Sequence, residues 1–335
     1  MAKSHFEQQM EKLDNNYLRY FNLTLKQLKK EYKKAYEDIE VEIIKWYKQM
    51  DVIKANNPEF KFSELKYLEE LTKQINLILD ELSKVEADYV GNSLNELYVS
   101  DYMDLAKLNE KYGTIANTPL AQQFNQLPSV QVLEAYMNMP MATGKVAEIA
   151  KQLDLSIWYA PIQGKFYFTR IEERAKKLGY SIESKLKRAI IQGSGYNKVA
   201  GELMTDLGIS FNSAKTLVAT ELRTAEITAK IHNAKKNGYT HVERRSMRDD
   251  RVCAKCREMD GTIYPLDAVT AGDFILHPQD RCIILEVIVD ENGKPKRSQY
   301  YEEAKQFINE RTKEIDERAK KIREQYYISK KKNKK

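Results

Sequence analysis

The chain is poor in turn-forming residues and has no long apolar run. It contains 13 glycines and 8 prolines among 335 residues, and so low a density excludes an all-β sandwich or propeller, which needs many tight turns. No apolar run approaches the roughly 18 residues of a membrane-spanning helix. The N-terminal sequence MAKSHFEQQMEKLDNN lacks the apolar centre of a secretory signal. We therefore expect a predominantly helical protein that is made and acts in a cytoplasm.

Apolar residues recur three or four apart from Phe6 to Ile53, and residues 1–57 contain neither glycine nor proline. This period predicts one amphipathic helix of about 80 Å that ends at Asn56, Asn57 and Pro58. A second helical pattern begins at Ser63 and ends near Gly91, and a third covers about 93–112. The first two predict an antiparallel helical hairpin.

The rest of the chain divides by composition. Four prolines, Pro119, Pro128, Pro140 and Pro161, mark an irregular joining region. Three helices are predicted after it, in a stretch punctuated by Gly179, by residues 193–195 and by Gly208. Two extended runs, 240–247 and 282–290, follow Gly238, and a charged helix over 298–327 precedes the tail KKKNKK. The predicted domains are a helical arm, the joining region, a helical middle domain, a small α+β module and a charged helix with a basic tail: 1–112, 113–168, 169–237, 238–292 and 293–335.

All three cysteines lie in the small module. Cys253 and Cys256 form a two-residue knuckle, and His277 and Cys282 follow about twenty residues later. Two thiolates on a tight turn, with a histidine and a cysteine on a second segment, form a tetrahedral ligand set with no position left for an activated water. This spacing predicts a structural zinc ion. The fold class is therefore mainly α, with a long N-terminal helical hairpin, a C-terminal helix and a zinc-stapled α+β module.

Other interpretations of the same residues stay open. Asp280 is an alternative fourth ligand in place of His277, although carboxylates are rarer in structural zinc sites. A second alternative is that the three cysteines are ordinary reduced thiols that bind no metal. A redox Cys-x-x-Cys pair is disfavoured, because the βαβ context of such pairs is absent.

The basic residues are concentrated in the C-terminal half. Residues 161–250 carry 17 basic and 10 acidic side chains, and residues 296–335 carry 14 and 7. These blocks are either solvated helical faces or surfaces for a phosphate backbone. The candidate DNA-contacting residues are Lys330, Lys331, Lys332, Lys334, Lys335, Arg244 and Arg245. The alternative for the two arginines is that they pair with nearby aspartates and support the knuckle.

A combination of motifs from about 171 to 285 resembles the head morphogenesis family of tailed phages, the minor head proteins of the Mu F-like type. The resembling residues occur in the family's order: Gly193-Ser194-Gly195, Thr220-Glu221, Gly238, Asp249-Asp250-Arg251-Val252-Cys253, Cys256, Asp260-Gly261 and His277-Pro278-Gln279-Asp280-Arg281-Cys282. Two positions depart from the family pattern. Ala219 stands where the family usually has arginine, and Asp280 stands where it often has another cysteine.

The resemblance implies a non-enzymatic structural component of the virion. Such a protein assembles in the host cytoplasm and lies in the capsid interior near the portal vertex. Its expected partners are the portal protein, coat or scaffold proteins, and double-stranded DNA bound without sequence specificity, with no membrane involved during assembly. The long helical arm and the basic blocks fit these contacts.

Two other functions compete with this one. A zinc-knuckle nuclease would use His277 on a phosphodiester and hold a second metal through Asp249 or Asp250. A zinc-containing DNA-binding regulator is disfavoured, because the sequence has no recognition helix with clustered base-reading side chains.

Overall fold

The protein is mainly helical, with a small antiparallel sheet near its C-terminal end. The computed structural model describes residues 5–57, 65–112, 162, 165–192, 196–246, 252–278, 280–290, 292, 295–296, 306, 308–310, 313 and 317. Four long helices come first: α1 (His5–Asn56), α2 (Leu65–Tyr112), α3 (Tyr167–Ile191) and α4 (Tyr196–Lys236). The shorter elements are β1 (His241–Arg245), α5 (Ala254–Glu258), β2 (Ile263–Pro265), a 3-10 helix (Ala271–Phe274), β3 (Ile283–Val289) and β4 (Pro295–Lys296).

The four long helices enclose one hydrophobic core. Its buried side chains come from all four, for example Ile39 of α1, Ile75 of α2, Ile182 of α3 and Val218 of α4. The three-to-four spacing in α1 places its apolar stripe against α2 and α4. The predicted helical arm and the predicted middle domain therefore share a single core. No helix in the described ranges combines the length and apolarity needed to span a membrane.

The second helix is longer than the sequence indicated. The prediction that it ends near Gly91 and that a third helix follows is wrong, because α2 runs without interruption from Leu65 to Tyr112. Gly91 is buried inside it, and Val90 and Leu97 on either side enter the shared core. Tertiary packing thus outweighs the low helix propensity of one glycine.

The region 169–237 contains two helices rather than the predicted three. Gly179 lies inside α3, and Gly208 lies inside α4. A Cβ atom at position 179 would come within 2.6 Å of Asn76 Oδ1, so this glycine permits the close approach of α3 to α2. Nothing lies within 4 Å of the corresponding point at Gly208, and no contact explains that glycine. The third predicted break, 193–195, is outside the described residues.

Helix α4 ends in a Schellman motif that turns the chain into the sheet. The backbone N–H of Tyr239 donates to the carbonyl of Ala234 at 3.1 Å, and the N–H of Gly238 donates to the carbonyl of Lys235 at 3.1 Å. Gly238 has φ of 78°, in the left-handed region that favours glycine. The predicted change to extended structure after Gly238 is confirmed.

The sheet is antiparallel, with strand order β2-β1-β3-β4. The extended runs predicted at 240–247 and 282–290 correspond to β1 and β3, whereas β2 and β4 were not predicted. Cα atoms of Arg244 and Ile284 are partners in the β1–β3 ladder. This register brings the end of β1 next to the segment that precedes β3.

Both faces of β3 are covered, which explains its nearly continuous apolar sequence. Ile284 packs on one side with Ile227 and Ile231 of α4. The opposite face packs against the beginning of α1 and the C-terminal helix, through Ile283, Leu285, Val287, Phe6, Met10 and Ile308. The buried Lys230 joins the two sides, because its Nζ donates to the Ile284 carbonyl at 2.8 Å and lies 6.0 Å from the Phe6 ring centroid.

Several predicted segments fall largely outside the described residues. In the predicted helix 298–327 the described residues 306, 308–310, 313 and 317 are helical. The joining region 113–168 is described only at 162 and 165–168, where Ile162 and Lys165 form an isolated bridge and Tyr167 begins α3. The basic tail is not among the described residues.

A buried carboxyl group lies between α1, α2 and α4. Asp101 of α2 is fully buried, and Asn16 Nδ2 donates to its Oδ1 at 3.0 Å and to Asp104 Oδ2 at 3.1 Å. Among the described residues, Asp101 Oδ2 has no hydrogen-bond partner. Burial, followed by the nearby Glu226 carboxylate, raises the pKa of Asp101 well above its ordinary range.

We expect Asp101→Asn to stabilise the protein at pH 8 by about 1–2 kcal/mol. Asparagine is neutral in both the folded and the unfolded state, so folding no longer has to protonate this side chain, and it keeps the acceptor for Asn16. The raised pKa means that the folded protein holds a proton which the unfolded chain releases above pH ~4. The wild-type penalty therefore grows as pH rises from about 4, and the two proteins should converge near that pH. Urea unfolding at pH 4.5 and pH 8 measures both effects.

Asp104→Asn is the matched control, because Asp104 accepts from Lys12 at 3.0 Å and is partly exposed. It should give no such gain. A variant at position 101 that is no more stable than wild type at pH 8 would contradict the raised pKa of Asp101.

Candidate metal centre

The cysteine knuckle is formed by a short helix after β1. Cys253 is the N-cap of α5, and its Sγ accepts from the backbone N–H of Cys256 at 3.3 Å. Cys256 is buried one turn further on. Gly261, with φ of 83°, then allows a left-handed turn whose N–H donates to the Arg244 carbonyl at 2.8 Å. This turn fastens the knuckle to the end of β1.

The second ligand segment lies between the 3-10 helix and β3. His277 follows the 3-10 helix, and Cys282 immediately precedes β3. The N–H of Asp280 donates to the His277 carbonyl at 3.2 Å, which makes a turn between them. Because β3 pairs with β1, this turn lies beside the knuckle.

The predicted ligands converge. Among the described residues, two groups of donor atoms each lie within 4.8 Å of one another: Cys253, Cys256 and His277, and Cys256, Asp280 and Cys282. Cys256 belongs to both groups, and its Sγ is 3.2 Å from His277 Nε2. The other three predicted ligands, Cys253, His277 and Cys282, therefore each lie close to the buried sulfur atom of Cys256.

This donor set fits zinc. Tetrahedral coordination with Zn–S near 2.3 Å and Zn–N near 2.0 Å places donor atoms about 3.5–3.8 Å apart. The Cys256 Sγ–His277 Nε2 distance of 3.2 Å is slightly shorter, and the atoms of each group lie within 4.8 Å of one another. Burial raises the pKa of the Cys256 thiol. Burial, with the adjacent Asp280 carboxylate, also raises the pKa of Cys282. A cation bound between the sulfurs would supply the charge that makes the thiolate forms favourable.

Asp280 is saturated by hydrogen bonds from the protein. Its Oδ1 accepts from the N–H of Cys282 at 2.8 Å, and its Oδ2 accepts from Arg244 Nη2 at 2.8 Å and from the N–H of Leu276 at 3.1 Å. Burial alone would raise the pKa of Asp280, but donation from Cys282 and Arg244 outweighs it and holds the pKa below its ordinary value. The geometry thus favours a supporting position for Asp280 over the alternative of a fourth ligand.

Arg244 is the second member of this support. Its side chain is 1% exposed. Besides Asp280, it donates to Cys256 Sγ at 3.4 Å and to the carbonyl of Phe274. One guanidinium therefore links β1, the knuckle, the 3-10 helix and the second ligand segment.

The predicted DNA contact of Arg244 and Arg245 is corrected by this arrangement. Arg244 is enclosed by the groups just described. Arg245 is paired with Glu243 at 2.9 Å and with Asp260 at 3.7 Å. Buried, paired guanidinium groups are not presented to a phosphate backbone. The alternative interpretation, in which the arginines support the knuckle, agrees with these contacts. The aspartates 249 and 250 of the same charged run lie outside the described residues.

The module also contains a pair that sequence reasoning missed. Arg244 and Asp280 are 36 residues apart, and neither belongs to a spacing motif that joins them. Two features of the sequence could have indicated this pair. Glu243 and Arg244 are charged residues in the middle of a strand whose centre is buried, and Asp280 lies between two predicted metal ligands. Such charges are buried only when paired.

Residues 180–283 match the family described as phage Mu protein F like protein. The resemblance to the Mu F-like family is thereby confirmed over this stretch, which contains the C-terminal part of α3, all of α4 and every predicted zinc ligand. The match indicates a protein related to the phage head. The chain matches no curated protein and no solved structure.

Several other residues that carry the Mu F-like resemblance, or depart from it, make contacts inside the protein. Glu221 is buried in α4 and forms an ion pair with Arg170 of α3. Ala219 is buried, and its carbonyl accepts from the Tyr17 hydroxyl at 3.4 Å. His277 Nε2 faces the Cys256 sulfur, and its Nδ1 is 2.9 Å from the Pro278 carbonyl. Both ring nitrogens of His277 therefore have a contact within the module.

We expect dialysed wild-type protein to contain one zinc ion per chain and His277→Ala to contain almost none, because the histidine completes the donor set. His241→Ala is the matched control, since His241 lies at the start of β1 and its ring contacts the neighbouring Thr240 instead. Metal content is measured by inductively coupled plasma mass spectrometry. Equal zinc in both variants would exclude His277 as a ligand.

We expect Asp280→Asn to weaken zinc binding by about 10–100-fold, as loss of an outer-shell partner usually does. Competition with a chromophoric chelator measures the affinity. The Co²⁺-substituted protein should keep its absorption spectrum, because the ligands are the same. A changed spectrum would make Asp280 a ligand.

Asp260→Asn controls for general destabilisation of the module. Asp260 also pairs with an arginine, Arg245, and accepts a backbone N–H, that of Ser246 at 2.9 Å. An equal loss of zinc affinity in this variant would remove the special position of Asp280.

Proposed function

We propose that the protein is a minor head protein of a tailed bacteriophage. It is a structural, non-catalytic component that assembles in the host cytoplasm with coat or scaffold proteins. It associates with the portal and the packaged DNA in the capsid interior, near the portal vertex. The match of residues 180–283 to phage Mu protein F like proteins carries this proposal.

A structural zinc ion is part of the same proposal. Cys253, Cys256, His277 and Cys282 would hold it, and the ion would tie the knuckle to the segment before β3. The module has a small core of its own, built around Val242, Leu266 and Phe274. Small cores gain proportionally most from a bound metal, because metal binding adds directly to the folding free energy.

The proposal of a non-enzymatic role rests on the filled ligand set. Four protein donors occupy a tetrahedral ion completely, so no position remains for an activated water. The nitrogen of His277 that a nuclease would use faces Cys256. No contact in the described part of the chain favours the nuclease alternative, and we do not propose it.

Portal association is supported by the shape of the helical part. Helices α1 and α2, of 52 and 48 residues, together present a long surface that is fixed by the shared core. Preorganised surfaces of this kind bind partners with little ordering cost.

We expect the portal protein of the same phage to co-purify with the tagged chain after co-expression, and the portal of an unrelated phage to be lost on washing. Size-exclusion chromatography with mass measurement gives the stoichiometry. Failure of the cognate portal to co-purify would contradict the proposed association.

A further inference from the structure

Helix α1 carries a concentrated basic segment in its first half. Between positions 19 and 34 six side chains are basic and one, Glu31, is acidic. We call the six the basic stripe: Arg19, Lys26, Lys29, Lys30, Lys33 and Lys34. At 1.5 Å per residue the stripe is about 22 Å long. The net charge of residues 1–160 conceals it, because acidic residues follow directly at 37, 38, 40 and 42.

The stripe faces outward. All six side chains are exposed. Lys26 and Lys30 are two residues from the fully buried Leu28, which places them about 200° around the helix from it. The core-facing side of α1 is held against α2 and α4. The basic side chains therefore lie on the surface that these contacts leave uncovered.

Little within the protein compensates this charge. Among the described residues, the ion pair made by the stripe is Lys33–Glu37, at 3.4 Å between exposed side chains. Lysines three or four residues apart repel one another on a helix, and the stripe contains five such pairs, among them Lys26–Lys30 and Lys29–Lys33. The stripe consequently reduces the stability of α1. A surface that binds an external polyanion is expected to carry such a cost when it is unbound.

The absence of apolar anchors decides the class of partner. The large exposed apolar side chains of α1 are Leu18, Leu23, Val41 and Val52. Leu18 and Leu23 lie beside Arg19 at one end of the stripe, and none of the four lies among the five lysines from Lys26 to Lys34. Protein interfaces depend on buried aromatic or aliphatic anchors, and a helix that lies in a membrane surface needs an apolar face. A phosphodiester backbone needs only closely spaced cations, since duplex DNA carries one negative charge per ~1.7 Å of its axis.

We propose that the basic stripe binds the phosphate backbone of double-stranded DNA without sequence specificity. The inference rests on the DNA contact in the proposed function and gives that contact a surface. It moves the contact from Arg244, which is buried, and Arg245, which is half-buried and ion-paired, to the outer face of α1.

The test compares the triple variant Lys26→Gln, Lys30→Gln, Lys33→Gln with wild type in binding to a labelled 30-base-pair duplex of arbitrary sequence. Fluorescence anisotropy is measured from 50 to 200 mM KCl. We expect the affinity at 100 mM to fall at least tenfold. The slope of log affinity against log salt should become shallower by about 2–3, because three phosphate contacts are lost.

A second triple variant supplies the matched control: Lys45→Gln, Lys48→Gln, Lys54→Gln. These lysines are exposed on the same helix, beyond the stripe, and their removal changes the net charge equally. We expect this variant to bind DNA almost as wild type does. The stripe variant should melt no lower than wild type, because it relieves like-charge pairs, so unfolding will not account for lost binding.

The outcomes separate this inference from the proposed function. Equal weakening in both triple variants would reduce the effect to net charge and overturn the inference. Unchanged binding in the stripe variant, with loss when the five tail lysines 330, 331, 332, 334 and 335 become glutamine, would overturn it and keep a DNA contact in the tail. Loss of portal co-purification with DNA binding intact would assign the stripe to an acidic protein. If wild type binds no duplex, the DNA contact fails, while portal association is decided by its own experiment.

Discussion

The structure depends on α4, a helix whose C-terminal half is buried on almost every side. The N-terminal half of α4 packs against the other three long helices, and its C-terminal half covers one face of the sheet. Its polar residues must therefore find partners inside the protein. Thr224 and Thr228 donate to carbonyls one turn earlier, and the ring of His232 bonds to the Tyr98 hydroxyl at 2.8 Å. Burial lowers the pKa of His232 to about 3, so the ring stays neutral at physiological pH.

The small module meets the opposite difficulty, because it has many polar groups and few apolar ones. Arg244 and Asp280 lie at its centre, and together they fix the backbone on both sides of the candidate zinc ligands. A buried ion pair of this kind gains little free energy overall, but removing one partner is costly. The departure from the Mu F-like pattern at Asp280 thus replaces a potential sulfur ligand by a carboxylate that organises its neighbours.

Sequence reasoning was most successful where a regular period or a compact motif carried the information. The apolar period of α1, its end at Asn56 and the two principal strands were predicted, as was the convergence of Cys253, Cys256 and His277. Gly91, Gly179 and Gly208 were misinterpreted as breaks, because local propensity contains no information about the helix that packs alongside.

Charge was harder to interpret than apolar pattern. The sequence around Arg244 is the same whether its side chain is solvated or buried. Only the position of Asp280 in the folded protein distinguishes a buried, paired arginine from a solvated one. The basic stripe was hidden for a different reason, since a charge sum over 160 residues averages away a segment of 16. A helical wheel of α1 alone, applied to the predicted helix, would have found it.

The covering of the sheet has a consequence for how the chain folds. The outer face of β3 is closed by Phe6 and Met10 of α1, and all four long helices are synthesised before β3. Helices α1 to α4 form mostly contacts among themselves and are able to assemble early. The start of α1 must wait, with its apolar side chains uncovered, until β3 has been synthesised. Closure of so long a loop is slow, and during that interval the exposed end of α1 is the region most open to aggregation or to a chaperone.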